Sequence, residues 1–179
     1  CTKVAPSAAP ATDGSPGERR LFTAAYLQAE LEGSLARLQT DYIDLYLLHS
    51  PDGETPMAAL CERMQQLVEG GRIRQWGVSN HSPEQVEALL QAAADAGTAP
   101  PVGVEDYYTV GGQALTEAGH SRVRWYEREM LPLLSRAGLG LLAFSPMDCG
   151  DLAPGRPVED GSPLATLIQR LDAAAGGLN

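Results

Sequence analysis

The chain alternates between short apolar runs and longer segments whose apolar residues recur every three or four positions. The run Ile43–Leu48 is interrupted only by Asp44 and stops at His49. A short apolar run of this kind is typical of a buried strand. The segment before it follows a helical period instead, with polar residues off the stripe. That stripe consists of Leu27, Leu31, Leu35 and Leu38.

Start and stop signals define the helices that follow. The helix after "PDGETP" is predicted to end at Gly70, because glycine commonly terminates helices. In "HSPEQVEALLQAAADAG", Ser82 is the predicted N-cap, Pro83 takes the first helical position and Gly97 follows the end. Pro132 lies within the predicted helix "WYEREMLPLLSRAG" and predicts a kink there.

This pattern gives five strands alternating with five helices, an order that indicates a parallel sheet. Right-handed crossovers allow either a closed barrel or an open doubly wound sheet. No GxGxxG motif follows any predicted strand, which favours the barrel. The predicted fold class is therefore α/β, a partial (β/α)₈ TIM barrel, with residues 1–179 as a single segment. The predicted strands end near Val4, Leu48, Val78, Glu105 and Phe144.

Composition argues against several classes of partner. Thirteen basic and twenty-three acidic residues give a net charge of −10, which does not suit a nucleic-acid groove or an anionic membrane surface. No apolar run approaches the length of a membrane span. Cys1, Cys61 and Cys149 form no CxxC pair, so neither a disulfide framework nor a structural zinc site is predicted. We expect a reduced, cytoplasmic protein.

Polar residues collect where the predicted strands end, and barrel enzymes carry their chemistry at the C-terminal ends of the strands. Taken singly, each has a simpler interpretation. A lysine near a terminus is usually solvated, a histidine after a strand is often packed, and Ser79 and Asn80 could cap the next helix. Their coincidence on successive strands is what predicts a site. The strand-end residues are Lys3, His49, Ser50, Ser79, Asn80, His81, Glu105, Asp106, Tyr107, Tyr108, Phe144, Ser145 and Pro146.

Three segments, "LEGSLARLQTDYIDLYLLHSPD", "LVEGGRIRQWGVSN" and "LLAFSP", resemble the aldo-keto reductases, which are NADPH-dependent (β/α)₈ enzymes. The resemblance covers nearly the whole chain. It implies that the chain runs from the family's third strand into the helix after the seventh, without the N-terminal strands or the last one.

The resemblance also implies a role for each strand-end residue. His49 matches the histidine that orients the substrate carbonyl, and Lys3 matches the lysine that lowers the pKa of the catalytic tyrosine. Ser79 and Asn80 match the pair that hydrogen-bonds the nicotinamide carboxamide. Phe144 stands where an aromatic side chain stacks on the nicotinamide ring. The segment along the cofactor's pyrophosphate matches Ser145, Pro146 and Met147.

These residue types suit reduction of an aldehyde or ketone to an alcohol. Hydride passes from the nicotinamide to the carbonyl carbon while an acid protonates the oxygen. A tyrosine with a pKa near 10 is a poor acid–base catalyst at neutral pH, and a nearby ammonium lowers that pKa. A histidine beside the carbonyl oxygen adds orientation and charge stabilisation. The predicted substrate is a small carbonyl compound and the predicted cofactor is NADPH.

The chain departs from the family pattern in three respects. The last strand and the helix after it, which hold the adenosine 2′-phosphate of the cofactor in the family, would lie downstream of the 179 residues. The catalytic tyrosine, and the aspartate that pairs with the lysine, would lie upstream of "CTKV", so we expect the 179 residues alone to be catalytically incomplete. Gly103 stands where the family has a glutamine that contacts the carboxamide.

Two alternatives stay open. One is a non-catalytic barrel of the same family that binds a cofactor or a partner. The other is a metal-dependent barrel hydrolase, which is weakly supported because no HxH pair is present. Its ligands would come from His49, His81, Glu105 and Asp148.

Overall fold

Strands and helices alternate along the whole described chain, as the sequence pattern predicts. The computed structural model describes residues 1–6, 20–109, 126–153 and 157–176. The strands are β1 (Thr2–Val4), β2 (Ile43–Leu48), β3 (Ile73–Ser79), β4 (Gly103–Tyr107) and β5 (Gly140–Phe144). The α-helices of the described residues are α1 (Ala24–Leu38), α2 (Met57–Glu69), α3 (Pro83–Ala96), α4 (Leu131–Ala137) and α5 (Pro163–Ala175).

The strands form one parallel sheet in chain order, β1-β2-β3-β4-β5. Val4 lies opposite Leu48, Leu48 opposite Val78, and Val78 opposite Val104. The C-terminal ends of β1, β2 and β3 are therefore level to within one residue, and β4 continues beyond them to Tyr107. The prediction of a partial (β/α)₈ barrel is confirmed.

Contacts divide the chain into two compact units, residues 1–105 with 137–141 and residues 106–136 with 142–179. In the first unit, one face of the sheet packs against the helices. Its core includes Tyr46 and Trp76, which lie opposite each other on β2 and β3 and are almost completely buried. Asp44, the polar residue within the apolar run of β2, is exposed and pairs with Arg74.

Glycines allow neighbouring backbones to approach closely in this unit. A Cβ atom on Gly77 would lie 2.6 Å from the carbonyl oxygen of Gly103. A Cβ atom on Gly103 would in turn lie 2.8 Å from the carbonyl oxygen of Gly140. Real Cβ atoms do not approach backbone oxygens so closely, so only glycine fits at residues 77 and 103 without a backbone shift.

The helix caps follow the sequence signals. Ser82 caps α3 in a reciprocal capping box with Gln85, and Pro83 occupies the first turn. Gly97 ends the same helix in the left-handed conformation. Because Ser82 provides the cap, Ser79 and Asn80 are not needed for capping.

In the second unit, a single π-helical turn, Tyr126–Met130, leads directly into α4. Pro132 is the second residue of α4, where its missing N–H costs little. The predicted single helix is therefore divided into two helix types just before its proline, and its predicted first residue, Trp125, lies outside the described residues. Met130, Leu133 and Leu134 are its buried side chains among those described.

Among the described residues, no helix combines the length and apolarity needed to cross a bilayer. The cytoplasmic location stays a prediction.

Candidate functional site

Register places a set of strand-end side chains on one face of the sheet in the first unit. Lys3 lies opposite Leu47, which lies opposite Gly77. Two residues beyond Gly77, Ser79 lies opposite Glu105. Because side chains two residues apart in a strand share a face, Lys3, Ser79 and Glu105 are all on the face opposite Tyr46 and Trp76.

The side chains of Lys3 and Glu105 meet on that face. Nζ of Lys3 donates to Oε1 of Glu105 at 2.5 Å. The two strands are three spacings apart, about 14 Å in a flat sheet. Contact between their side chains shows that the sheet curls with this face inward, as expected of a barrel segment.

His49 continues the ladder one residue beyond β2. Its backbone N–H donates to the carbonyl oxygen of Val4 at 2.8 Å. Its own carbonyl oxygen accepts a hydrogen bond from Nδ2 of Asn80 at 2.8 Å. The side chain of His49 is exposed, and by alternation from Leu47 it belongs to the same face as Lys3.

Ser79 and Asn80 form a tight polar turn at the end of β3. Nδ2 of Asn80 also donates to Oγ of the fully buried Ser79 at 3.1 Å. The backbone of Asn80 has φ +56°, a left-handed conformation that costs energy in residues other than glycine. The two hydrogen bonds from its side chain help to hold that conformation in place.

His81 closes the same turn from the other side. Its Nδ1 lies 2.8 Å from the carbonyl oxygen of Ser79, so this nitrogen carries the hydrogen and donates it. The ring is buried, and burial lowers the pKa of His81 below its ordinary value. The hydrogen bond to Ser79 and the charge of Asp52 oppose that shift without reversing it.

Asp52 anchors the loop that follows His49. Its buried carboxylate accepts hydrogen bonds from the backbone N–H groups of Phe22 at 2.8 Å, Glu54 at 3.1 Å and Thr55 at 2.9 Å. The hydroxyl of Thr55 donates to it as well. Burial raises the pKa of this carboxyl, but the hydrogen bonds outweigh burial and the net shift is downward.

Arg63 fixes the same junction from α2. Its Nη1 donates to the carbonyl oxygen of Phe22 at 2.6 Å. The backbone of Phe22 is therefore held at both its N–H, by Asp52, and its C=O. Through this residue the segment entering α1 is tied to the loop after β2.

The remaining predicted residues lie together in the second unit, directly after β5. The half-buried ring of Phe144 makes an edge-to-face contact with Tyr107, with centroids 5.8 Å apart. Ser145 has φ +52°, and its carbonyl oxygen accepts from the N–H of Asp148 at 2.9 Å. The turn exposes Pro146 and Met147.

The sequence model of the aldo/keto reductase family matches residues 1–163. The chain belongs to this family. It is 47% identical over 72 residues to aldo-keto reductase YhdN of Bacillus subtilis, a match covering 40% of this chain and 22% of that protein. It is 29% identical over 150 residues to aflatoxin B1 aldehyde reductase member 2 of Mus musculus, covering 84% and 38%.

A crystal structure of an aldo/keto reductase from Klebsiella pneumoniae, in complex with NADP and acetate, superposes with a TM-score of 0.61. The two chains are 30% identical, and the match covers 86% of this chain and 44% of that one. The chain thus spans less than half the length of these family members.

The described geometry brings the residues that resemble the family's catalytic and carboxamide-binding groups to one edge of the first unit. These are Lys3, His49, Ser79 and Asn80. Their roles stay predictions, as do those of Phe144, Ser145, Pro146 and Met147, which are grouped in the second unit. Within the described part of the chain, no group of three or more His, Cys, Asp or Glu residues is arranged to hold a metal ion.

Sequence reasoning missed three supporting residues of this aldo/keto reductase chain. The sequence places Glu105 and His81 among the strand-end residues and the alternative metal ligands but gives neither a supporting role, and it does not single out Asp52. The signal for Asp52 was its place in "SPDGET", since an aspartate followed by Thr three residues later often accepts local backbone hydrogen bonds. No local signal links Glu105 to Lys3, 102 residues away.

Proposed function

We propose that the protein containing this chain is an NADPH-dependent oxidoreductase that reduces small aldehydes or ketones to alcohols. Membership of the aldo/keto reductase family supports this proposal. The NADP bound to the Klebsiella pneumoniae family member supports the choice of cofactor.

The observation that carries the proposal is the hydrogen bond from Asn80 to His49, beside Ser79. It joins the predicted cofactor-binding pair directly to the strand that presents the predicted catalytic histidine. Nδ2 of Asn80 donates to both His49 and Ser79, so this amide is held where the two adjacent strands end.

Ser79 lies beside that amide, and its Oγ accepts a hydrogen bond from Asn80. A carboxamide group has an N–H₂ donor and a carbonyl acceptor, and amide and hydroxyl side chains are residue types that can pair with both. The chemistry of Ser79 and Asn80 therefore supports the proposed role of this pair.

Each remaining residue has a defined task in this proposal. The cofactor, when bound, supplies the hydride. His49 donates a hydrogen bond to the substrate carbonyl oxygen and orients it. Lys3 places a positive charge where it favours the ionised form of the acid that protonates that oxygen. Phe144 offers a ring face, and Ser145 to Met147 a turn, to the cofactor.

Cofactor binding can be tested on the 179-residue chain through its tryptophan fluorescence, because Trp76 lies on the strand that ends in Ser79. We expect saturable quenching by NADPH. Ser79→Ala should weaken binding about fivefold, the equivalent of about 1 kcal/mol for one neutral hydrogen bond. The matched control Asp44→Asn, an exposed residue on the opposite face, should bind like the unaltered chain.

Turnover is tested separately in the protein that contains this chain, by following aldehyde-dependent oxidation of NADPH. Absence of NADPH binding by the folded protein that contains this chain would refute the proposal. Binding without turnover of any aldehyde or ketone would instead favour the non-catalytic alternative.

A further inference from the structure

Glu105 is an acidic side chain whose position gives it a specific partner. It lies on β4 directly opposite Ser79, and its carboxylate accepts from the ammonium of Lys3 at 2.5 Å. The side chain of Glu105 is 14% exposed and that of Lys3 is 33% exposed. The pair therefore lies at the inner edge of the candidate site, partly removed from water.

The surroundings distinguish this pair from an ordinary surface ion pair. Asp44 and Arg74 also form an ion pair, but their side chains are 65% and 63% exposed. Exposed pairs of that kind contribute little, because water screens the charges and two long side chains must be ordered. Charges with less access to water are screened less, so loss of one partner from the Lys3–Glu105 pair has the larger effect.

The flexibility of Lys3 gives a second carboxylate partner a purpose, beside the upstream aspartate that the family resemblance implies. A lysine side chain is a compact charge on four rotatable carbons, and its position is fixed only by its contacts. β1, which carries it, is three residues long. An ammonium that serves a proton-transferring group must stay within a few ångströms of it, and a displacement of about 1 Å can cost a large factor in rate.

We propose that Glu105 is a positioning residue for the reductase reaction: its carboxylate holds the ammonium of Lys3 at the C-terminal edge of the sheet. The role in catalysis rests on the proposed function, whereas the contact itself can be tested without it. Glu105 acts through Lys3 and borders Ser79, so it links the charge at the site to the predicted cofactor-binding strand.

The contact can be tested chemically, because Lys3 is the only lysine in the 179 residues. A water-soluble carbodiimide activates a carboxyl group, and attack by a neighbouring amine forms an amide while the carbodiimide takes up the lost water as a urea. We expect mass spectrometry of the folded chain to find an amide between Nζ of Lys3 and the side-chain carboxyl of Glu105. Peptide mapping separates this product from any formed by the α-amine of Cys1.

The unaltered chain serves for this test, so it does not depend on whether a variant folds. Glu105→Gln removes the reactive carboxyl and should abolish the cross-link, while Asp44→Asn should leave its yield unchanged. A folded chain whose Lys3 forms amides with other carboxyls, or with none, overturns the contact and with it the inference.

The catalytic consequence is tested by steady-state kinetics in the protein that contains this chain. Glu105→Gln should lower kcat roughly tenfold and leave the KM for NADPH within about twofold, because the ammonium loses an anchor and the cofactor contacts do not change. Glu105→Asp keeps the charge but is shorter by one methylene, and should recover only part of the rate.

The pH profile separates positioning of the charge from a merely structural effect. Removing a negative charge beside the ammonium lowers the pKa of the acid that the ammonium serves, so the basic limb of the kcat profile should move to lower pH. If Glu105→Gln changes neither kcat nor the basic limb of its pH profile, the inference is refuted, even where NADPH binding is normal. Loss of NADPH binding in the unaltered protein would refute the proposed function and leave the cross-linking result standing.

Discussion

Asn80 and His49 are joined by a 2.8 Å hydrogen bond from the side-chain amide of one to the backbone carbonyl of the other. The bond connects the ends of two adjacent parallel strands at the point where both leave the sheet. It also explains why a residue with φ +56° is an asparagine here, since glycine would satisfy the backbone but could not donate to His49.

Substitutions at Asn80 should separate the energetic cost of its left-handed backbone from the stabilisation that its side-chain hydrogen bonds provide. Asn80→Gly removes the amide and should lower the free energy of unfolding by about 1–2 kcal/mol. Asn80→Ala loses the same bonds and adds the cost of a left-handed alanine, about 1 kcal/mol more. Urea unfolding measures both. Equal stability of the two variants would show that the backbone conformation relaxes and carries no such cost.

Gly103 raises a different question, because the family resemblance places a glutamine there. Restoring that residue by Gly103→Gln should not improve cofactor binding. It should lower the free energy of unfolding by about 2 kcal/mol or more, because the new Cβ would lie 2.8 Å from the carbonyl oxygen of Gly140.

Two further variants give this prediction its controls. Gly103→Ala should be destabilised to a similar degree, since the conflict begins at Cβ. Gly140→Ala, whose Cβ would have its nearest neighbour at 3.7 Å, should be close to neutral. A Gly103→Gln chain that is as stable as the unaltered one in urea would contradict the backbone spacing described above.

Local features of the fold, such as helix caps and strand ends, can be predicted from the sequence. Ser82, Pro83 and Gly97 were assigned correctly because capping depends on a few adjacent residues, whose chemistry is legible in the sequence. The ends of the strands could likewise be predicted from the change between apolar and polar residues.

Contacts that depend on the curvature of the sheet could not be predicted from the sequence. Lys3 meets Glu105 only because the sheet curls, and nothing within either segment encodes how far it curls. Asp52 accepts from Phe22, 30 residues earlier, through a loop path that no periodic pattern describes.

Asp52 should make a stability contribution that depends on pH. Asp52→Asn keeps the shape but loses the charge, and should lower the free energy of unfolding at pH 7 by about 2 kcal/mol, as expected for hydrogen bonds to a charged group. Because the folded pKa lies below the ordinary value of 3.8, the contribution is complete above that value and is lost as the pH falls through the folded pKa.

Urea unfolding at several pH values tests this window. The difference between Asp52→Asn and the unaltered chain should be constant at neutral pH and should narrow only below the ordinary pKa. Asp44→Asn, a matched change at an exposed aspartate, should alter stability little at any pH. A difference that persists undiminished in acid would mean that charge is not what Asp52 contributes.

His81 should make the stability of the fold sensitive to mild acid, at a higher pH than Asp52 does. Its folded pKa is lowered from the ordinary 6.5, so near and below that value the unfolded chain binds a proton that the folded chain does not. Stability should therefore fall as the pH drops below about 6.5, with a slope of at most about 1.4 kcal/mol per pH unit.

A variant without a titrating ring isolates this effect. His81→Asn keeps a donor that can reach the carbonyl oxygen of Ser79, and its stability should be flatter between pH 7 and pH 5 than that of the unaltered chain. The comparison is made by urea unfolding at each pH. Parallel curves for the two chains would assign the acid sensitivity to other groups.

Tyr46 offers a prediction of stabilisation. Its ring is fully buried, and its hydroxyl makes no hydrogen bond to any residue in the described part of the chain. Burial raises the pKa of this phenol, and the charge of Glu30 raises it further, so the group stays neutral.

A buried hydroxyl without a partner costs about 1–3 kcal/mol in desolvation. Tyr46→Phe removes that cost with little change in shape, and should raise the free energy of unfolding by about 1 kcal/mol in urea. Trp76→Phe, next to it in the sheet, is the contrasting change: it loses both volume and the hydrogen bond from Nε1 to Ala99, so it should destabilise the chain. A loss of stability in Tyr46→Phe would mean that the hydroxyl has a partner in solution.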